Sequence, residues 1–211
     1  MSKPIGPMRS ALLACAALAA GIVTASFLFK PDVENEKIEL KSGTYLPQAR
    51  QIPDFSLTRD DGEPFDKSQL MGQWSVIFVG FTHCPDVCPN TLGLLKTVNK
   101  KLKAQKQNLQ VVFLSVDPER DNIDALKRYV DFFDPDFVGA TGENEELEKL
   151  GKGVGFVYMK TPGSSAENYN MDHSAALILV NPKAQVAGYI TPPLKLDELI
   201  DDFSALIPTQ S

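Results

Sequence analysis

The longest apolar run in the chain lies at its start. Ala11 to Phe29 (ALLACAALAAGIVTASFLF) is 19 residues without a charge. At a helical rise of about 1.5 Å per residue it is long enough to cross a bilayer core. Beyond it the apolar blocks are shorter and alternate in kind. Trp74 to Phe81 (WSVIFVGF) and Leu109 to Val116 (LQVVFLSV) are continuous apolar runs, as expected of strands buried on both faces. From Asp86 to Ala104, Leu92, Leu95, Val98 and Leu102 recur at three- and four-residue spacing, which predicts a helix. Residues 122–133 predict a second helix, ended by Asp134-Pro135, and Glu143 to Leu150 a short one stopped by Gly151. Asp61-Gly62 predicts a hairpin turn between the segments around Phe55 and Phe65. Phe137–Thr141, Val154–Met159, Ser174–Val180 and Gln185–Ile190 read as strands, and Leu194–Leu206 as a closing helix. The order β-hairpin, β-α-β-α, β-β-α implies an α/β domain with a thioredoxin-like mixed sheet flanked by helices.

The expected organisation is a short cytoplasmic tail (1–10), a transmembrane anchor (11–29), a polar tether (30–50) and the thioredoxin-like domain (51–211). A cleaved signal peptide ending near Ala17, Ala19 and Ala20, or a lipoprotein signal at Leu12-Leu13-Ala14-Cys15, are the alternatives to an anchor. The apolar run continues well past both. With no Arg/Ser-rich transit peptide ahead of it, the span points to a bacterial inner membrane with the folded domain in the periplasm. The net charge of −6 argues against nucleic acid, whose phosphates need a basic surface. With 43% hydrophobic residues the chain can bury a core of ordinary size, so no metal or disulfide is required merely to hold it together.

The chain has three cysteines, and Cys15 lies in the apolar segment. Cys84 and Cys88 sit in Thr82-His83-Cys84-Pro85-Asp86-Val87-Cys88-Pro89, where a buried strand gives way to a helix. Open α/β sheets hold ligands at that edge, and a helix N-terminus favours thiolate. The i, i+4 spacing puts both sulfurs on one face of the first turn, near enough to share a metal or form a disulfide. Buried apolar cysteines and a structural disulfide are the blander readings. Two thiolates are too few for a closed zinc site, and the chain has two histidines, His83 and His173. If the strand continues through His83, its side chain points away from the Cys84 side. His173, in Asn170-Met171-Asp172-His173-Ser174, is expected at the start of a strand after a long loop. Two soft thiolates and an imidazole suit copper, as Cu(I) or Cu(II), although a lone histidine is as often structural.

Gly80-Phe81-Thr82-His83-Cys84-Pro85-Asp86-Val87-Cys88-Pro89, Ser115-Val116-Asp117-Pro118-Glu119-Arg120-Asp121 and Asp172-His173-Ser174 together resemble the Sco/SenC family. The resemblance runs from about Gln51 to the C-terminus and includes the N-terminal span. It implies a thioredoxin-like fold, one copper held by Cys84, Cys88 and His173, and a metallochaperone role in assembling the dinuclear copper centre of cytochrome c oxidase subunit II. Asn168-Tyr169-Asn170-Met171 departs from the aromatic-rich pattern of that family. Asp86, Asp172 and Asp117 are candidates for groups that support the ligands. For Asp86 a helix-capping role, for Asp172 an Asx turn, and for Asp117 a structured turn are the alternatives. Trp74 reads as core, and Met159 and Met171 as gap-fillers or exposed residues rather than ligands. The competing function is a thiol–disulfide oxidoreductase that uses Cys84 and Cys88 as a redox pair against the oxidase subunit or other exported proteins. A peroxide reductase is a third reading with no residues to specify it. Other copper chaperones or thiol reductants would be further partners.

Overall fold

The computed structural model describes residues 38–163 and 169–209. The tail, the apolar segment with Cys15 and the first part of the tether (30–37) lie outside the described residues. Among the described residues no helix is long and apolar enough to cross a membrane.

Three parallel strands, β4 (Trp74–Gly80), β5 (Leu109–Ser115) and β6 (Val138–Thr141), form the centre of an eight-stranded sheet. Antiparallel strands extend it on both sides. Beyond β4 lie β9 (Leu177–Asn181), β10 (Gln185–Ile190) and β1 (Gly43–Gln51); beyond β6 lie β2 (Leu57–Arg59) and β3 (Pro64–Phe65). The continuous apolar runs of β4 and β5 are explained by burial on two faces. Val76, Phe78, Val111 and Phe113 join one core cluster; Ile77, Val79, Val112 and Leu114 join the other. The first cluster is closed by α1 (Val87–Ala104), α2 (Ile123–Phe133) and α4 (Leu196–Leu206), through Leu92, Leu95, Val130 and Phe203 among others. The second is closed by α3 (Asn144–Val154), through Leu147, Leu150 and Val154. Leu95 is completely buried between α1 and the sheet, so truncating it to Ala would cost about 2–5 kcal/mol. Asn122 caps α2 by accepting a hydrogen bond from the Ala125 amide at 2.9 Å.

Three expectations need correcting. The last part of the stretch read as tether is β1, paired with β10 at the sheet edge, so the folded domain begins before Gln51. Its polar face is the exposed side of an edge strand, which composition alone cannot distinguish from a linker. Gly151 does not stop α3. The helix continues to Val154 and ends at Gly155, whose φ of 87° is the left-handed C-terminal geometry glycine provides. Gly151 and Gly153 serve close packing instead: a Cβ at 153 would lie 2.2 Å from Pro53 Cδ. Finally, Val154–Met159 and Ser174–Val180 are not single strands. β7 (Tyr158–Thr161) and β8 (Asn170–His173) form a separate two-stranded hairpin, and β9 starts only at Leu177.

Candidate metal centre

The central strand β4 runs out at Gly80, and the chain turns before entering α1. The Cys84 amide donates to the Phe81 carbonyl at 3.2 Å. Cys84 is half-buried in that turn, and Cys88, in the first turn of α1, is fully buried. Gly80 is required here by close approach. A Cβ on it would lie 2.8 Å from Cys88 Sγ and 2.6 Å from the Phe113 ring. His173 comes from the opposite direction, at the end of β8. Its Nε2 lies 3.7 Å from Cys88 Sγ, and its ring meets Phe78 and Phe81 edge-on. The ligand atoms of Cys84, Cys88 and His173 all fall within 4.8 Å of one another. Both thiols are free.

Asp86 is the N-cap residue of α1, but its carboxylate does not cap. The Cys88 amide donates to Cys84 Sγ at 3.4 Å, and the next residue, Pro89, has no amide to offer. With the donors of the first turn thus assigned, the Asp86 carboxylate accepts from the Asn90 side chain at 2.6 Å. Burial pushes the Cys88 thiol well above the usual range, only partly offset by a backbone hydrogen bond at Phe81. Without a bound cation that sulfur stays protonated at neutral pH, and metal binding must release its proton.

The ring orientation of His173 is set by the Ser174 carbonyl, 3.1 Å from Nδ1, rather than by Asp172. Asp172 is exposed on β8, where it pairs with Met159 of β7. That carbonyl favours the tautomer with the proton on Nδ1, which donates to it, and leaves the Nε2 lone pair free on the side of the sulfurs. His83 is exposed, with Nδ1 3.5 Å from an Asp121 oxygen and 3.1 Å from Thr82 Oγ1. It clusters with Asp117 and Asp121, apart from the Cys84–Cys88–His173 group. Asp117 is buried and hydrogen-bonded by Tyr169 and Arg120. Met171 is core, Met159 is exposed, and Trp74 is half-buried against the cluster closed by α1, α2 and α4. An open cleft of about 390 Å³ lies between Cys84, Val87, Asp172 and His173. A second of about 320 Å³ lies on the other side of His173, against Val157 and Met159.

Several residues that shape the site stood within the quoted segments but were given no role of their own: Gly80, Arg120, Asp121, Tyr169 and Ser174. Asp121 accepts from Thr82 twice, at the amide (2.8 Å) and at Oγ1 (2.6 Å), and from Ser115 Oγ at 2.6 Å. A charged residue with no exposed surface is visible only in three dimensions, although its place at the end of Asp117-Pro118-Glu119-Arg120-Asp121 was a signal.

This arrangement of two free thiols and an imidazole at the edge of a mixed α/β sheet defines a class of protein, and comparison with known proteins gives it a family. Residues 43–208 match the SCO1/SenC family. The chain belongs to that family. The mitochondrial protein SCO2 homolog of Mus musculus is 33% identical over 93% of this chain and 78% of its own length. The Arabidopsis thaliana ScoI crystal structure with copper bound has 37% identity and a TM-score of 0.67, covering 71% of this chain and 92% of that one. The solution structure of apo Sco1 from Thermus thermophilus has 36% identity and a TM-score of 0.70, covering 78% and 96% respectively.

Proposed function

We propose that this protein is a copper-binding assembly factor that holds one copper ion, Cu(I) or Cu(II), through Cys84, Cys88 and His173. The observation that carries the reading is the convergence of two sulfurs and one imidazole nitrogen within 4.8 Å from separate elements. The donor set fits. Two thiolates favour Cu(I), and an imidazole with its Nδ1 already engaged suits Cu(II). A relative within the family has been solved with copper bound. By family resemblance, the copper is cargo for the dinuclear centre of cytochrome c oxidase subunit II, received from another copper chaperone. The chain would act from the periplasmic face of a bacterial inner membrane, held by residues 11–29. Nothing in this role requires the residues to turn over a substrate.

In this reading the residues divide the work. Cys84 sits at the cleft and is the sulfur first met by an incoming or outgoing ion. Cys88 is the buried donor, and its proton leaves as copper enters. His173 closes the set from the hairpin, and Phe78 and Phe81 limit water around its ring. The reduced, purified chain is expected to bind one copper ion per molecule, and its Cu(II) form to show a thiolate-to-copper charge-transfer band. Stoichiometric titration without that band, or no binding at all, would remove the proposal.

The free thiols support one competing reading, a thiol–disulfide oxidoreductase. Cys84 and Cys88 would give up two electrons and two protons, forming a disulfide, while the disulfide of a target protein became a dithiol. Oxidation would also expel the metal, so the two chemistries exclude each other at any moment. Loss of oxidase activity on deletion, restored by added copper, favours delivery; restoration by an added thiol reductant favours reduction.

A further inference from the structure

The two halves of the proposed copper site are carried by different elements, and a single turn grips both. That turn, Asp117–Asp121, follows β5 and is closed internally: the Arg120 and Asp121 amides donate to the Asp117 carbonyl at 3.1 and 2.9 Å. On one side Asp121 holds the cysteine loop through the Thr82 amide and hydroxyl. On the other side the turn holds Tyr169, the residue just before β8. The Tyr169 hydroxyl donates to Asp117 Oδ1 at 2.6 Å, and Arg120 Nη1 donates to the Tyr169 carbonyl at 3.0 Å. The Arg120 guanidinium lies 3.6 Å from the centre of the Tyr169 ring and pairs through Nε with the Asp117 carboxylate. Four residues after Tyr169 comes His173.

The chemistry suits placement better than stability. Asp117 has 2% of its side chain exposed and Arg120 19%, and a buried ion pair gives little net stability over an apolar replacement. What it does give is direction. A guanidinium that stacks on a ring and bonds that residue's own carbonyl fixes both side chain and backbone of Tyr169. Among the described residues the hairpin β7–β8 pairs with no strand of the main sheet, so its register against the cysteine loop needs such an anchor. We propose that Asp117, Arg120 and Tyr169 are positioning residues that set the distance between the His173 imidazole and the Cys84/Cys88 sulfurs. The inference rests on the three-ligand reading above, but the clamp itself exists without metal.

The test uses the full chain, reduced, as Tyr169→Phe and Arg120→Met beside the native protein and Arg120→Lys. Tyr169→Phe removes one hydroxyl and leaves the ring packed, so it stays informative if Arg120→Met fails to fold. The first readout is amide hydrogen exchange without copper. Exchange over residues 170–173 is expected to accelerate about tenfold or more as local opening becomes easier, with β4 and α1 unchanged. The second is Cu(II) binding, expected to weaken by roughly ten- to hundredfold with reduced nitrogen hyperfine coupling in electron paramagnetic resonance, while Cu(I) binding by the sulfurs persists. Arg120→Lys, which keeps the charge but not the fork, should recover stability without recovering the nitrogen signal. Native exchange over 170–173 in the folded Phe and Met variants, together with native Cu(II) affinity, would overturn the clamp. A native chain that bound no copper would instead remove the proposed function, and the exchange data would still decide the clamp.

Discussion

The cysteine half of the site and the histidine half are built to different standards. Cys84 and Cys88 sit at the end of the central strand β4 and the start of α1, with Cys88 fully buried and Gly80 cut away to admit its sulfur. His173 ends a two-stranded hairpin outside the main sheet, is only half-buried, and is bordered by an open cleft on each side. Rigid scaffolds hold ligands in place at no cost on binding, whereas a peripheral hairpin can yield its ligand. Under the proposed copper role, that division assigns the fixed donors to the sulfurs and makes the imidazole, held through the Asp117–Arg120–Tyr169 contacts, the ligand whose position can be changed.

The contrast can be broken at several points. The largest effect is expected at the sulfurs: Cys84→Ser or Cys88→Ser should abolish stoichiometric Cu(I) binding in anaerobic titration, because the fixed half then offers a single soft donor. Next, His173→Ala should weaken Cu(II) by more than about 2 kcal/mol, yet leave Cu(I) bound. Equal losses in both oxidation states would mean that the two halves are not separable. Gly80→Ala should destabilise the fold by about 1–3 kcal/mol in denaturant titration, because the new methyl presses on Cys88 and Phe113 within a packed core. The smallest effect is expected from Lys160→Ala, which removes an exposed ion pair to Glu119 and a contact on the Tyr169 ring. Neither the melting midpoint nor Cu(II) affinity should change measurably, since exposed pairs contribute little.

The same contrast separates what was legible in the sequence from what was not. The continuous runs of β4 and β5, the spacing of Leu92, Leu95, Val98 and Leu102, and the Cys84–Cys88 spacing are local signals set by burial and helix geometry. They predicted their elements to within a residue or two. His173 was identifiable as a ligand candidate, but its setting was not. A strand starting at Ser174 is the natural reading of SAALILV, whereas the pairing of β8 with Tyr158–Thr161 depends on partners on the far side of an intervening loop. β1 was missed for a related reason, since an edge strand with one face in solvent has the composition of a linker. Asp86 was expected to cap its helix, and position alone supports that expectation. The sulfur that took over the task could be seen only with the turn folded.

That sulfur has a consequence for how the site can be observed. Because Cys84 Sγ accepts the Cys88 amide, the atom proposed to take copper is also a hydrogen-bond acceptor for the first turn of α1. A lone pair given to a metal, or a sulfur tied into a disulfide, weakens the hydrogen bond that this amide donates. The Cys88 N–H is therefore a built-in gauge, and its nitrogen and proton frequencies should register loading or oxidation before any strand moves.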